Sequence, residues 1–149
     1  MPSQSALAHL TFCQQHQAEM MSLLKRMVEM ESPTDNKAAV DGLGSFLAQE
    51  FERLGGKVTF FTEKDAGNHL KAEFAAGTGK PALLLGHFDT VWSMGTLAKM
   101  PFHIEGTRAF GPGIYDMKAG IAMMIFALRA LQASGGQTRP VTVLLDTDE

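Results

Sequence analysis

At 149 residues, 45% of them hydrophobic and 19% charged, the chain is long enough for one domain with a real core and has an ordinary globular composition. Its formal net charge of −3, with no long run of either sign, excludes the clustered basic face of a nucleic-acid binder. One cysteine, Cys13, excludes an internal disulfide, and no apolar stretch reaches the roughly 18 residues that a membrane span needs.

The first residues show no basic stretch followed by an apolar one, so a secretory signal is not expected and the expected compartment is the cytoplasm. From about Ser5 to Met30, Leu7, Leu10, Met20, Leu23, Leu24, Met27 and Val28 recur at helical spacing and predict one helix. Cys13 reads as a small packing residue within it. Pro33 ends the pattern, and Asp35 or Asn36 can cap a second helix over about Lys37–Leu54. Gly55-Gly56 closes that helix. Lys57–Thr62 and His69–Phe74 read as strands joined by a turn at Asp65–Asn68.

Ala82–Gly86 reads as a buried strand that delivers the sequence HFDTV, His87–Val91. The long stretch Val91–Arg108, with a short strand at Phe102–Glu105, is the kind of irregular connection that more often serves function than accident. Gly111-Pro112-Gly113 makes a tight turn before Asp116. A helix over Met117–Ser134, apolar on nearly every side, reads as buried. Pro140–Leu145 is the last strand and delivers Asp146-Thr147-Asp148-Glu149. In an open α/β sheet, functional groups collect beyond the carboxyl ends of the strands. One imidazole and several carboxylates would therefore converge at one rim, the mixture that a hydrolytic zinc site needs.

Each island also has a plainer reading. His87 and Asp89, two residues apart, share a face of an extended backbone. Asp89 then either orients a metal-ligating imidazole, ligates directly, or simply caps a strand-end histidine. Asp116 before a helix is a metal ligand or an ordinary helix cap. Glu149 and Asp148 are a general base with its neighbour, or solvated acids. Asp146 reads more simply as a strand-end acid. His9, His16, His69 and His103 read as surface or packing residues. GPGIYD begins like the dinucleotide-binding fingerprint, but Asp116 stands at its third glycine position and would repel a phosphate.

Taken together, LLLGHFDTVW, FHIEGTRAFGPGIYDMKAG and a strand ending in TDE resemble the family of acetylornithine deacetylase, succinyl-diaminopimelate desuccinylase and carboxypeptidase G, zinc-dependent amidohydrolases. The carboxypeptidase G-type, or glutamate carboxypeptidase, branch is the nearest in pattern. Ser32-Pro33-Thr34 and Asn68 also stand where that family has comparable residues. The resemblance implies an α/β fold, a zinc-exopeptidase-like three-layer sandwich with a mostly parallel central sheet and helices on both faces, here truncated. It implies that His87 ligates zinc, that Asp89 holds the His87 ring, that Asp116 bridges two zinc ions, and that Glu149 is the general base. It further implies a non-proline cis peptide after Asp116. The implied cofactor is two zinc ions in the complete enzyme, with cobalt or manganese as alternatives. The implied substrate is a small peptide or N-acyl amino acid cleaved next to a free carboxylate, and the complete enzyme is expected to be a homodimer without nucleic-acid or membrane partners.

The family's second glutamate, a further acid and a distant histidine, which complete the two metal shells, are not among these residues. Nor is its smaller lid and dimerisation domain. Residues 1–149 are thus expected to be the amino-terminal part of the catalytic domain, binding metal weakly through His87 and Asp116 and giving no useful turnover alone. The alternative is a non-catalytic truncated homologue or interaction module.

Overall fold

The computed structural model describes residues 3–149. Helix α1 (Gln4–Gln15) is followed by α2 (Gln17–Glu29) and α3 (Lys37–Arg53), then strands β1 (Lys57–Phe61), β2 (His69–Phe74) and β3 (Ala82–His87). A short helix α4 (Thr96–Lys99) and a hairpin of β4 (His103–Glu105) and β5 (Arg108–Phe110) lead to a wide turn at Ile114–Lys118. Helix α5 (Ala119–Ala133) and strand β6 (Val141–Asp146) complete the order. Among the described residues no helix is long and apolar enough to cross a membrane.

The single helix expected over Ser5–Met30 is two. His16 leaves helical geometry at φ −104° and ψ 16°, its ring bonds the Phe12 carbonyl through Nδ1 at 2.8 Å, and it stacks on Phe12. A side chain that engages the preceding turn in this way competes with helix continuation, which the apolar spacing alone does not reveal. Helix α3 behaves as expected: the Asn36 side chain accepts from the Ala39 amide at 3.1 Å, and Val40, Leu43, Leu47 and Phe51 form its fully buried stripe. Gly55 adopts φ +78° beyond its end.

The main sheet has the order β1-β2-β6-β3. Its class is α/β as expected, but the sheet is mixed rather than mostly parallel: β1–β2 and β2–β6 are antiparallel and β3–β6 is parallel. A short connection between β1 and β2 permits a hairpin only, whereas β3 reaches β6 through a crossover that includes α5. Leu70, Ala72 and Phe74 sit opposite Leu145, Val143 and Val141, which in turn sit opposite Gly86, Leu84 and Ala82. This face carries the core shared with α2, α3 and α5. The helices expected on both faces thus gather on one. On the other, Leu83 and Leu85 are 59% and 58% exposed. Helix α5 is not buried on every side either, since Met123 is 59% exposed.

The two faces should respond differently to truncation. Phe51 is fully buried against the Phe74 ring, so Phe51→Ala should cost about 3–5 kcal/mol in urea unfolding. Leu85→Ala, on the open face, should cost no more than about 0.5 kcal/mol. Equal losses at both positions would contradict the one-sided core.

Candidate functional site

Because β3 and β6 run parallel, their carboxyl ends meet at one edge, where His87 pairs in register with Asp146. The backbone of β3 continues into Phe88, Asp89 and Thr90, all buried. Asp89 is 1% exposed, and its Oδ1 accepts from His87 Nδ1 at 3.2 Å. His87 Nε2 donates to Asp116 Oδ1 at 2.9 Å. The ring is therefore held between a buried and an exposed carboxylate. Burial disfavours the imidazolium, but the hydrogen bond to Asp116 and the charge of Asp89 outweigh it, and the His87 pKa lies above its ordinary value.

Asp116 reaches this position from the wide turn Ile114–Lys118. The helix begins only at Ala119, and Asp116 has extended geometry (φ −129°, ψ 97°). The helix-cap reading of Asp116 is thereby set aside. The bond from Asp116 to Met117 is cis, as expected. Two glycines allow the turn to approach. A side chain at Gly113 (φ +71°) would meet Thr90 Cγ2 at 2.6 Å, and one at Gly86 would meet the Met117 thioether at 2.8 Å. Lys118, 1% exposed, donates through Nζ to the carbonyls of Met27 and Met30, each at 2.9 Å. Burial pulls this ammonium down to about 8. It pins the turn to the carboxyl end of α2, where carbonyls favour a cation.

Glu149 lines the same cavity, of about 380 Å³, as His87, Asp89, Trp92, Tyr115 and Asp116. No hydrogen bond among the described residues joins Glu149 to His87, Asp89 or Asp116. The strand end that presents it is anchored by Thr147, fully buried, whose hydroxyl donates to the Gly67 carbonyl. Ala66 and Asn68, on either side of Gly67, are held in turn by the start of α3. Lys37 Nζ donates to Asn68 Oδ1 at 2.8 Å, and the Asn68 amide donates to Asp41 Oδ1 at 2.7 Å. Asp146 Oδ1 is buried without a hydrogen-bond partner among the described residues, and burial first, then Asp148, raises its pKa.

Two ligands of a tetrahedral zinc ion lie about 3.3 Å apart. The 2.9 Å pair of His87 Nε2 and Asp116 Oδ1, with an acceptor behind the ring, fits one edge of such a shell after a small opening. Among the described residues no cluster of three or more histidine, cysteine or acidic side chains could hold a metal. The sequence reading gave no role to the supports: Ser32, Thr34, Lys118 and Glu31. The Glu31 carboxylate accepts from the amides of Gly95 and Leu97, each at 2.9 Å, and these bonds hold its pKa below the usual range. Most of these contacts join segments more than fifty residues apart, beyond what a spacing rule detects. The Ser-Pro-Thr after α2, with Ser32 and Pro33 buried, is the one local sign of them. Of the other histidines, His9 meets Ser134 and His103 stacks on Phe110, both away from the site.

The sequence signature of Peptidase family M20/M25/M40 matches residues 83–149. Carboxypeptidase G2 of Pseudomonas sp. (strain RS-16) is 36% identical over 138 residues, 89% of this chain and 33% of that protein. Succinyl-diaminopimelate desuccinylase of Gluconobacter oxydans is 40% identical over 76 residues, 49% of this chain and 20% of that protein. Among solved structures, human carnosine dipeptidase 1 superposes with a TM-score of 0.82 at 17% identity, covering 98% of this chain and 35% of that one. An M20 family metallo-carboxypeptidase from Sulfolobus solfataricus gives a TM-score of 0.77 at 20% identity, covering 88% and 31%. These structures share the fold. The chain spans no more than about a third of the length of the curated relatives it matches.

The raised His87 pKa fixes the sign of one pH effect. The imidazolium stabilises the metal-free fold fully below its unfolded pKa, and this contribution is lost as pH rises through the higher folded value. Asp116→Asn should lower the His87 pKa, read by NMR titration of the ring, and flatten that part of the stability profile. An unchanged pKa would show that the Asp116 contact does not hold in solution.

Proposed function

With residues 83–149 matching its signature, the chain belongs to peptidase family M20/M25/M40, and from that premise we propose that the whole protein is a zinc-dependent hydrolase of amide or peptide bonds next to a free carboxylate. The observation that carries the reading is the unit Asp89–His87–Asp116, an oriented imidazole nitrogen and a carboxylate oxygen 2.9 Å apart in a cavity also lined by Glu149. The carboxypeptidase and the desuccinylase among its relatives support the same substrate class, an N-acyl amino acid or a carboxyl-terminal residue.

His87 and Asp116 would hold metal. Zinc, when bound, supplies Lewis acidity to water and to the scissile carbonyl. Asp89 keeps the proton on Nδ1 of His87, so that Nε2 offers its lone pair. Glu149 takes a proton from the attacking water and passes it to the departing amine. Buried Lys118 and the Gly113 turn keep Asp116 against the imidazole. On this reading residues 1–149 are the amino-terminal part of the catalytic domain of a homodimeric enzyme, in keeping with the one-third span.

In the whole protein, Glu149→Gln should cut hydrolysis by about 10²–10⁴-fold while leaving zinc content unchanged. His87→Ala should lower the zinc content itself. Metal analysis beside an assay with N-acyl amino acids and peptides bearing a free terminal carboxylate reads both. Full turnover in Glu149→Gln would remove the base assignment, and turnover indifferent to a chelator would remove the zinc. The 149-residue chain alone should bind zinc weakly and give no useful turnover. Turnover by that chain with added zinc, lost on Glu149→Ala, would overturn this expectation.

A further inference from the structure

A buried carboxylate needs a donor for each oxygen, because leaving one without a partner costs the full desolvation of that atom. Asp89 Oδ1 has His87 Nδ1. Its Oδ2 accepts from the hydroxyl of Thr34 at 2.6 Å, across 55 residues of sequence. The same hydroxyl lies 3.2 Å from the Thr90 carbonyl. A hydroxyl has one proton to give, and the shorter contact to a charged acceptor takes it.

Thr34 is not placed there by its side chain. The Thr34 amide donates to the Thr90 carbonyl at 3.0 Å, and the Thr90 amide donates to the Ser32 carbonyl at 2.8 Å. The Ser32 hydroxyl donates to the Phe88 carbonyl at 2.8 Å, and Pro33 bridges in parallel to Thr90. Residues 32–34 thus run as a short extra strand beside the segment that leaves β3, and this register delivers one hydroxyl to one carboxylate oxygen.

We propose that Thr34 is a positioning residue for the site: its hydroxyl locks the Asp89 carboxylate so that Oδ1 faces His87 Nδ1, which holds the imidazole with Nε2 turned toward Asp116, the side on which metal would be held. The metal half of this inference rests on the hydrolase reading; the ring half does not. Without the hydroxyl, Asp89 Oδ2 is buried with no donor, and the carboxylate gains by rotating away from the ring. The Asp89 backbone carbonyl, also 3.2 Å from Nδ1, then remains as a weaker, uncharged acceptor.

The test compares Thr34→Val, which keeps shape and loses the hydroxyl, with Thr34→Ser, which keeps the hydroxyl. Two properties are read on the metal-free chain and on zinc titration. The ¹⁵N shifts of the His87 ring, above its pKa, report which nitrogen carries the proton. Competition with a chromophoric chelator reports zinc affinity. Thr34→Val should move the ring from the Nδ1–H form toward a mixture and weaken zinc by about three- to tenfold, since partners behind a ligand typically contribute 10–100-fold and this one acts a step further out. Thr34→Ser should match the unaltered chain within about twofold. In an Asp89→Ala background, Thr34→Val should change neither reading.

A Thr34→Val chain with an unaltered ring pattern overturns the proposal, because the backbone carbonyl then suffices. Equal loss in Thr34→Val and Thr34→Ser overturns it in favour of packing, and a further loss in the Asp89→Ala background shows a route other than Asp89. Should Thr34→Val not fold, Thr34→Ala beside Thr34→Ser carries the same comparison. A whole protein with no zinc affinity, and a ring that still responds to Thr34→Val, would sink the hydrolase reading and leave this one standing.

Discussion

Parallel neighbours in a sheet must leave it at the same edge, and one parallel pair here places the whole site. Strand β3 ends on His87 and β6 ends on Asp146, paired in register, so Asp89 and Glu149 both emerge a few residues further at that edge. An antiparallel pairing of the same two strands would send the histidine and the glutamate to opposite ends. Helix α5 makes the parallel pairing possible as part of the crossover. The turn that starts this helix delivers Asp116 over the edge, so the connection that permits the topology also supplies an oxygen to the site.

That arrangement buries charge, and its stability depends on how the buried charge is satisfied. Asp89 and Lys118 are each 1% exposed, and neither is closed off by a simple ion pair with the other. Asp89 is held by a ring N–H and a hydroxyl, and Lys118 by two carbonyls at the end of α2. The end of α2 therefore supports the site twice. It receives the ammonium that secures the Asp116 turn, and it leads directly into Ser32 and Thr34, which run beside Phe88–Thr90. Glu31, between them, holds the amides that open α4 and so shapes the loop beyond Trp92. Three segments far apart in sequence, 31–34, 87–97 and 113–118, are tied into one frame, with Ser32, Asp89 and Lys118 among its buried polar members. At those three the frame tolerates little local change, because a bond removed leaves a buried partner unsatisfied.

Much of this was legible in the chain itself. Apolar runs bounded by glycine and proline marked β3, β6 and α5 to within a few residues. Acids and a histidine just after those runs marked His87, Asp89, Asp116 and Glu149. The structure brings the first three into direct contact and leaves Glu149 in the same cavity. Less legible was the break at His16, where a ring bonds the preceding turn, and the one-sided core, where Leu83 and Leu85 read as buried strand residues yet lie exposed. A continuous apolar run says that a strand is apolar on both faces. It does not say which face receives a helix.

The sequence by itself determined the element types, the strand-end chemistry and the family pattern, because each is written in residues close together along the chain: periodicity, turn residues and short spacings. The tertiary structure alone decided the pairing of strands and the contacts that hold the site. Among these are Thr34 on Asp89, Lys118 on the α2 carbonyls, Thr147 on Gly67, and the choice of Asp116 as a partner for His87 rather than a helix cap. The physical reason is that hydrogen bonding is blind to sequence distance. A buried polar group takes whichever partner the fold brings within about 3 Å, and no rule of local spacing names that partner in advance.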